Sequence, residues 1–480
     1  MGEVLKPDLC VVGAGSGGLS VAAIAASFGV PVILVEKGRM GGECLNVGCV
    51  PSKALIAAAA RAHAARSSAA FGIGPSEATV DYGRVRDHVR GVIAAIAPND
   101  SAERFTALGV QVIAAEARFT DAATVVAGGR TIQARRFVLA VGSRPAVPPI
   151  AGLDRVPYLT NETVFDLDRR PQRLLVIGGG PVGVELAQAH RRLGADVVVI
   201  EAGRLLPRED AEMAAVVERA LLKEGVGLRT GVSVARVEGE GEALAVHLAG
   251  ADGGEGERIE GSHILVATGR VPTTDGLGLE AAGIAFDKSG IIVDKGLRTT
   301  NRRVYAIGDC AGGEAGPYRF THAANNHAGL VIRSALFRLP ARVDPAAIPR
   351  VVYTDPELAA IGLSEEEARA RHRHIRILRW PLAENDRAQA ERATDGHVKA
   401  IVTGRGTILG CAIAAPHAGE LIVPWALALG KGLKVQDLAG LVFPYPTLSE
   451  MTKRAAVEFI RPSAQNPWVR RLIGAVRRLG

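Results

Sequence analysis

The sequence predicts an α/β protein with two Rossmann-like dinucleotide-binding domains followed by a C-terminal α+β domain. Three observations carry that prediction. The chain has 480 residues, 48% of them hydrophobic, with 57 glycines. At roughly 100–200 residues per domain, that allows two to four domains with real cores. A strand, glycine turn, helix and strand unit is used twice, and after about Pro349 that texture gives way to short strands mixed with helices.

The repeat is the strongest signal. Leu9 to Arg39 and Leu174 to Arg204 each read as an apolar strand, a glycine-rich turn, a helical stretch, a glycine stop, a second strand and a glutamate. Gly13 matches Gly178, Gly29 matches Gly194 and Glu36 matches Glu201 at one constant offset. Each copy holds a dinucleotide fingerprint: Gly13, Gly15 and Gly18 in the first, Gly178, Gly180 and Gly183 in the second. The first glycine permits a tight turn, the second lets backbone approach a pyrophosphate, and the third lets helix pack on strand. The helix start offers unpaired N–H groups and a positive dipole end to phosphate. Glu36 and Glu201, about 20 residues on, suit ribose hydroxyls.

Two later segments, Phe137 to Pro145 and Ile264 to Pro272, read as a strand and a glycine turn, each after a hairpin-like insertion of short strands. Val304 to Asp309 places an aspartate just past a strand end, where ligands sit in open α/β sheets. In the C-terminal part, Arg350 to Tyr353, His397 to Val402 and Leu409 to Ala414 read as strands. Ser364 to Arg373, Gly419 to Leu429 and Thr447 to Ile460 read as helices.

Composition excludes several function classes. No uncharged apolar stretch reaches the length of a transmembrane helix. Glu3, Lys6 and Asp8 lead into a strand rather than a secretory signal, and five cysteines are too few for a disulfide-stapled secreted scaffold. A cytoplasmic setting is therefore expected. Of the net charge of +7, most sits on Arg461, Arg470, Arg471, Arg477 and Arg478, beyond which the body is nearly neutral. With 4% aromatic residues, nucleic-acid binding is not expected.

The cysteines carry the chemistry. Cys44 and Cys49 lie in Gly41 to Leu55, just ahead of an alanine-rich stretch, Ala54 to Ala65, that reads as a helix. Their spacing is not that of zinc knuckles or CxxC motifs, and no metal site is expected. Cys49 near a helix start, with Lys53 one turn on, has the setting of a stabilised thiolate. The plainer alternative is two buried cysteines in a glycine loop.

With Cys44-x4-Cys49 set in GGxCxNxGCxPSK after a first GxGxxG, the chain resembles the flavoprotein disulfide reductases from Leu9 to Ile460. These class I pyridine nucleotide-disulfide oxidoreductases include dihydrolipoamide dehydrogenase, glutathione reductase and mercuric reductase. The resemblance implies FAD on the first repeat, a nicotinamide nucleotide on the second, and a C-terminal domain that builds a homodimer. It implies domains at 1–153 and 274–346 for FAD, 154–273 for NAD(P) and 347–461 for dimerisation, with a basic tail at 462–480. For FAD it implies Gly13, Gly15, Gly18, Glu36, Lys37, Gly42, Glu43, Cys44, Lys53, Ala117, Gly142, Ser143, Asp309, Thr321, His322 and Ala323. For the nicotinamide nucleotide it implies Gly178, Gly180, Gly183, Glu185, Glu201 and Gly269. Thr321 to Ala323 start the helix that faces the flavin pyrimidine edge, and Glu185 pairs with Lys53 beside the flavin. By the same resemblance, Cys49 is expected to be the thiolate against the flavin and Cys44 the thiol that meets substrate. Electrons then run from NADH through FAD to the Cys44–Cys49 disulfide and on to a small disulfide or thiol. Glu201 repels a 2′-phosphate, so NADH is expected over NADPH.

Two departures are visible. The family's acid/base histidine, ahead of a proline and a glutamate, is replaced by Tyr445, while Glu450 is kept. Tyrosine titrates near 10 and is a poor base at neutral pH. The segment resembles that of mercuric reductases, yet the last cysteine is Cys411, so the closest branch is a mercuric-reductase-like one without a C-terminal cysteine pair. Alternative activities are dihydrolipoamide dehydrogenase and direct flavin reduction of quinones or metal ions. The remaining polar residues (His417, His322, His327 and Asn385 to Ala388) and Cys10, Cys310 and Cys411 carry no catalytic assignment beyond those above. The tail has Trp468, Leu472, Val476 and Leu479 at helical spacing between arginines, which suits a frayed basic end, a partner helix or weak contact with an anionic membrane surface.

Overall fold

A computed structural model describes residues 3–74, 79–250, 255–314, 316 and 318–478. Two compact units make up the chain. The first runs to Ala202 and resumes over Val232–Pro345; the second takes Gly203–Gly231 and the residues from Ala346 on.

In the first unit, both repeats fold as the glycine spacing requires. Strand β1 (Leu9–Val12) is followed by α1 (Ser16–Ser27) and β2 (Val32–Glu36), and β3 (Gln111–Ala114) and β4 (Arg136–Leu139) join the same sheet. The second copy has β5 (Arg173–Ile177), α3 (Pro181–Arg192), β6 (Asp196–Glu201) and β7 (His263–Val266); α2 (Cys49–Ser67) lies between the copies in sequence. Strand β8 (Val304–Ala306) completes the first sheet in the order β8-β4-β1-β2-β3, every pair parallel. In the second copy β6 and β7 flank β5, also in parallel. Strand β1, and β5 from Leu174 on, read as unbroken apolar runs because a central parallel strand is covered on both faces, and Leu9 to Val12 are all buried. Short antiparallel strands occupy the two insertions, over Ala117–Ile132 and Val234–Gly261.

Where a helix packs hard on its strand, no side chain fits. A Cβ on Gly18 would meet the Gly13 carbonyl oxygen at 1.9 Å, and one on Gly183 would meet that of Gly178 at 2.0 Å. Helix α2 begins at Cys49 itself, earlier than the alanine-rich stretch suggests. Pro51 sits in its first turn, where a missing N–H breaks no helical bond.

The second unit is built on a five-stranded antiparallel sheet of β9 (Arg350–Val352), β10 (Glu357–Gly362), β11 (Ile375–Pro381), β12 (His397–Thr403) and β13 (Ile408–Ala415), in the order β9-β10-β13-β12-β11. Its core gathers Leu382, Val398, Ile413, Trp425, Met451 and Phe459. The nearly buried Lys399 ammonium lies 2.8–2.9 Å from Asp210, Glu212 and Glu365. That ring fastens the helix Ala211–Lys223 to the sheet; losing the lysine would leave three carboxylates crowded together. Cys10, Cys310 and Cys411 are buried and act as small apolar residues.

Candidate active site

The cysteine loop is positioned by two short elements. Cys44 lies in the helix Gly42–Asn46, and Cys49 opens α2. Their sulfurs share one hydroxyl: Thr321 Oγ1 is 3.1 Å from Cys44 Sγ and 3.5 Å from Cys49 Sγ. Thr321 is the first residue of α4 (Thr321–Ala335).

The two thiols are unequal. Cys49 is pulled down to about 6, chiefly because the Cys44 thiol donates to its sulfur, with help from the Thr321 hydroxyl and the Lys53 charge. Cys44 is pushed well above the usual thiol range by donating that proton and by burial. At neutral pH the pair is therefore one thiolate, on Cys49, steadied by one thiol, on Cys44. A turn along α2, Lys53 Nζ donates to Glu185 Oε2 at 2.8 Å. Glu185 is buried in α3, so this ion pair ties the cysteine helix α2 to the nucleotide helix of the second repeat.

Around β4 and β8 lies a second polar group. The Ser143 hydroxyl donates to Asp309 Oδ2 at 2.6 Å, and Arg270 Nε donates to Ser143 Oγ at 2.7 Å while lying 3.6 Å from Asp309 Oδ2. The same guanidinium grips Glu43, which also accepts from Asn161 Nδ2 at 2.8 Å. Burial pushes Glu43 up to about 7 against the Arg270 charge. Gly142 and Gly269 precede Ser143–Pro145 and Arg270–Pro272, which pair as a two-stranded ribbon. Arg270, Asn161 and the double contact of Thr321 go beyond the sequence reading. Arg270 directly follows Gly269, and its place beside that glycine turn is the one local signal for it.

The acids that end β2 and β6 behave alike. Glu36 Oε2 accepts the Ala14 N–H at 2.6 Å, and Glu201 Oε2 accepts the Gly179 N–H at 2.6 Å. Each carboxylate thus reaches back to the rim of its own glycine turn. Lys37 pairs with Glu116 at 3.4 Å, and Ala117 begins a strand of the first insertion. His322 stacks on Phe320, Ala323 is buried beside it, and His327 is buried and neutral, its Nδ1 accepting the Gly308 N–H at 3.2 Å.

In the second unit, the Tyr445 hydroxyl donates to Asp386 Oδ2 at 2.9 Å. Asp386, the largest cause, and Glu450 hold the phenol above its usual range, so it stays protonated at neutral pH. The buried Asn385 bonds the Thr447 carbonyl at 3.0 Å, which fixes the Asn385–Asp386 turn to the Tyr445 segment. His417 takes the N-cap place of the helix Ala418–Leu421, but its side chain caps nothing.

Fold and site together define a two-nucleotide redox protein with a dithiol between its nucleotide units. The family described as pyridine nucleotide-disulphide oxidoreductase matches residues 7–328, and its dimerisation domain matches residues 348–456. The chain belongs to this family: it is an FAD-dependent oxidoreductase that couples a nicotinamide nucleotide to a redox disulfide. It is 38% identical to a dihydrolipoyl dehydrogenase of Thermus scotoductus, over 94% of this chain and 96% of that protein. It is 36% identical to a mercuric reductase of Streptomyces lividans, again over 94% and 96%. The solved HOCl-induced flavoprotein disulfide reductase RclA from Escherichia coli superposes with a TM-score of 0.82 at 27% identity, covering 94% of this chain and 99% of that one.

The residues present fit FAD. Helix α1 has no side-chain cap and no acid in its first turn, so its leading N–H groups are open to phosphate. A Cβ on Gly15 would meet only Gly42 Cα, at 4.0 Å, which leaves the space a pyrophosphate needs. In the second copy Gly180 faces open space, and α3 likewise lacks a side-chain cap and an early acid, which fits the nicotinamide nucleotide.

Proposed function

We propose that the protein is an NADH-dependent, homodimeric reductase of small disulfides. The observation that carries this reading is the Thr321 hydroxyl seated on both Cys44 and Cys49, one turn from the Lys53–Glu185 pair. In it, residues 1–153 and 274–346 hold FAD, 154–273 hold the nicotinamide nucleotide, and 347–461 form the dimer interface.

Gly13, Gly15, Gly18 and Glu36 hold the adenosine and pyrophosphate, with Ser143 and Asp309 further along the cofactor. Bound FAD supplies the two-electron relay between nicotinamide and disulfide. The protein's own residues do the rest. Lys53, fixed by Glu185, supplies positive charge near Cys49 and favours its thiolate. Cys44 passes its proton to the adjacent Cys49 thiolate, attacks one sulfur of the substrate disulfide and releases the other as a thiolate that takes a proton from water. Cys49 then attacks the mixed disulfide, frees the second thiol and closes Cys44–Cys49. Thr321 steadies whichever sulfur carries charge. Tyr445, kept protonated by Asp386, can offer a hydrogen bond to a leaving thiolate but is too weak an acid to give up its proton and no base at neutral pH, so the exchange takes its protons from water.

Two features support NADH. Glu201 ends β6 with its carboxylate at the glycine turn. Arg204, the nearest cation in sequence, spends its guanidinium on the carbonyls of Leu206, Pro207 and Glu209. Steady-state turnover with lipoamide and glutathione disulfide tests the reading. We expect kcat/KM to favour NADH over NADPH by about tenfold or more, and Glu201→Ala to narrow that gap. Preference for NADPH, or no turnover of any small disulfide, would overturn it.

A further inference from the structure

The chain's last described helix, α5 (Pro467–Val476), plays no part in the redox centre. Asn466 caps it, its side chain accepting the Trp468 N–H at 2.9 Å. At about 100° per residue, its side chains sort into two arcs. Trp468, Val469, Leu472, Ile473 and Val476 share one arc of about 140°. Arg470, Arg477 and Arg478 take the opposite side, and Arg471 flanks the apolar arc, its guanidinium 5.4 Å from the centre of the Trp468 ring. Leu479, which the spacing adds to the apolar arc, lies outside the described residues.

This apolar arc covers no core. None of the helix is buried, and Trp468 and Leu472 are 75% and 64% exposed. From Arg461 onward the sequence holds five arginines and no acid. A short helix with an aromatic-bearing apolar face and a purely cationic opposite face has the make-up of an interfacial anchor. Among the described residues no helix is long and apolar enough to cross a membrane, so any such contact is peripheral.

We propose that α5 docks the protein on an anionic lipid surface, its apolar arc at the headgroup boundary and its arginines against lipid phosphates. Charge complementarity selects this occupant. A second copy of the helix would bring only more arginine, whereas anionic headgroups over acyl chains answer both arcs at once. Each basic residue near such a surface strengthens partitioning by about fivefold.

The test uses the FAD-loaded full chain, with vesicles of phosphatidylcholine alone and of phosphatidylcholine mixed equally with phosphatidylglycerol. Sedimentation and the emission of Trp468 report binding; the other two tryptophans, Trp380 and Trp425, are already partly or fully buried. We expect binding to the anionic vesicles only, with a blue shift of the Trp468 emission and release at high salt. The variant R470Q/R471Q/R477Q/R478Q is expected to weaken partitioning by about 100-fold or more, and L472D to remove the blue shift. A chain ending at Pro462 is expected to keep its turnover and oligomeric state while losing vesicle binding. The proposal is overturned if the anionic vesicles are not bound, or if the quadruple variant binds them as well as the parent. It is also overturned if removing the helix dissociates the oligomer, because α5 would then be covered by a second copy.

Discussion

Cys44→Ser is expected to abolish NADH-driven reduction of small disulfides, a loss of about 10³-fold or more. The size follows from the role. Cys44 forms the bond to the substrate sulfur, and serine offers neither a comparable nucleophile nor a disulfide partner for Cys49. The geometry also makes the variant informative, because a serine hydroxyl can still donate to Cys49 as the Cys44 thiol does. Cys49 should therefore remain a thiolate at neutral pH while turnover is lost. Stopped-flow and steady-state assays with lipoamide and, separately, a quinone distinguish the routes. Disulfide turnover that survives the substitution would mean that electrons leave the flavin without passing through the cysteines.

The second large effect is expected at Tyr445. Its side chain is 69% exposed, and its proton is directed at Asp386 at 2.9 Å. Removing a proton from a dithiol at pH 7 needs a base, and a phenol whose neighbours raise its pKa is a worse one than imidazole. Tyr445→His should therefore raise the rate of dihydrolipoamide oxidation by about 10²-fold, the usual contribution of a well-placed general base. Asp386 is then available to hold the new ring in position. Lipoamide reduction, the same exchange run in reverse, should rise with it. An unchanged oxidation rate would remove this position from thiol exchange and leave Tyr445 as a surface residue of the second unit.

What the sequence disclosed, and what it withheld, follows from how local each feature is. The glycine turns were legible because strand, turn, helix and acid occur within a single stretch, and because the unit appears twice. The buried strand Glu357–Gly362 was not marked, since both its faces are covered and it lacks the alternation that betrays a half-exposed strand. The grip of Arg270 on Glu43 and Ser143 depends on the register of the ribbon that pairs Ser143–Pro145 with Arg270–Pro272, and no local pattern encodes it. The Lys53–Glu185 pair was reached only through resemblance to a family; composition and spacing say nothing of a contact between two separate helices. Asp386 was visible only as part of an unassigned turn, and its meaning appears once Asn385 is seen to tie that turn to Thr447. Thr321 is expected at the flavin edge from resemblance alone, and the contact of its hydroxyl with both sulfurs has no signal in the sequence.

The central claim is that reducing equivalents from the nicotinamide come to rest on Cys44 and Cys49, with the charge held on Cys49. An anaerobic titration of the FAD-loaded protein with NADH, followed in the visible spectrum, tests it most directly. The account predicts that two electrons leave the flavin oxidised and bring up a long-wavelength thiolate-to-flavin absorption. Because the Cys49 thiol lies low, that absorption should be present at pH 7 and fade as the pH falls through about 6. Bleaching of the flavin by the first two electrons, with no such absorption at any pH, would contradict the account and place both cysteines outside the path of the electrons.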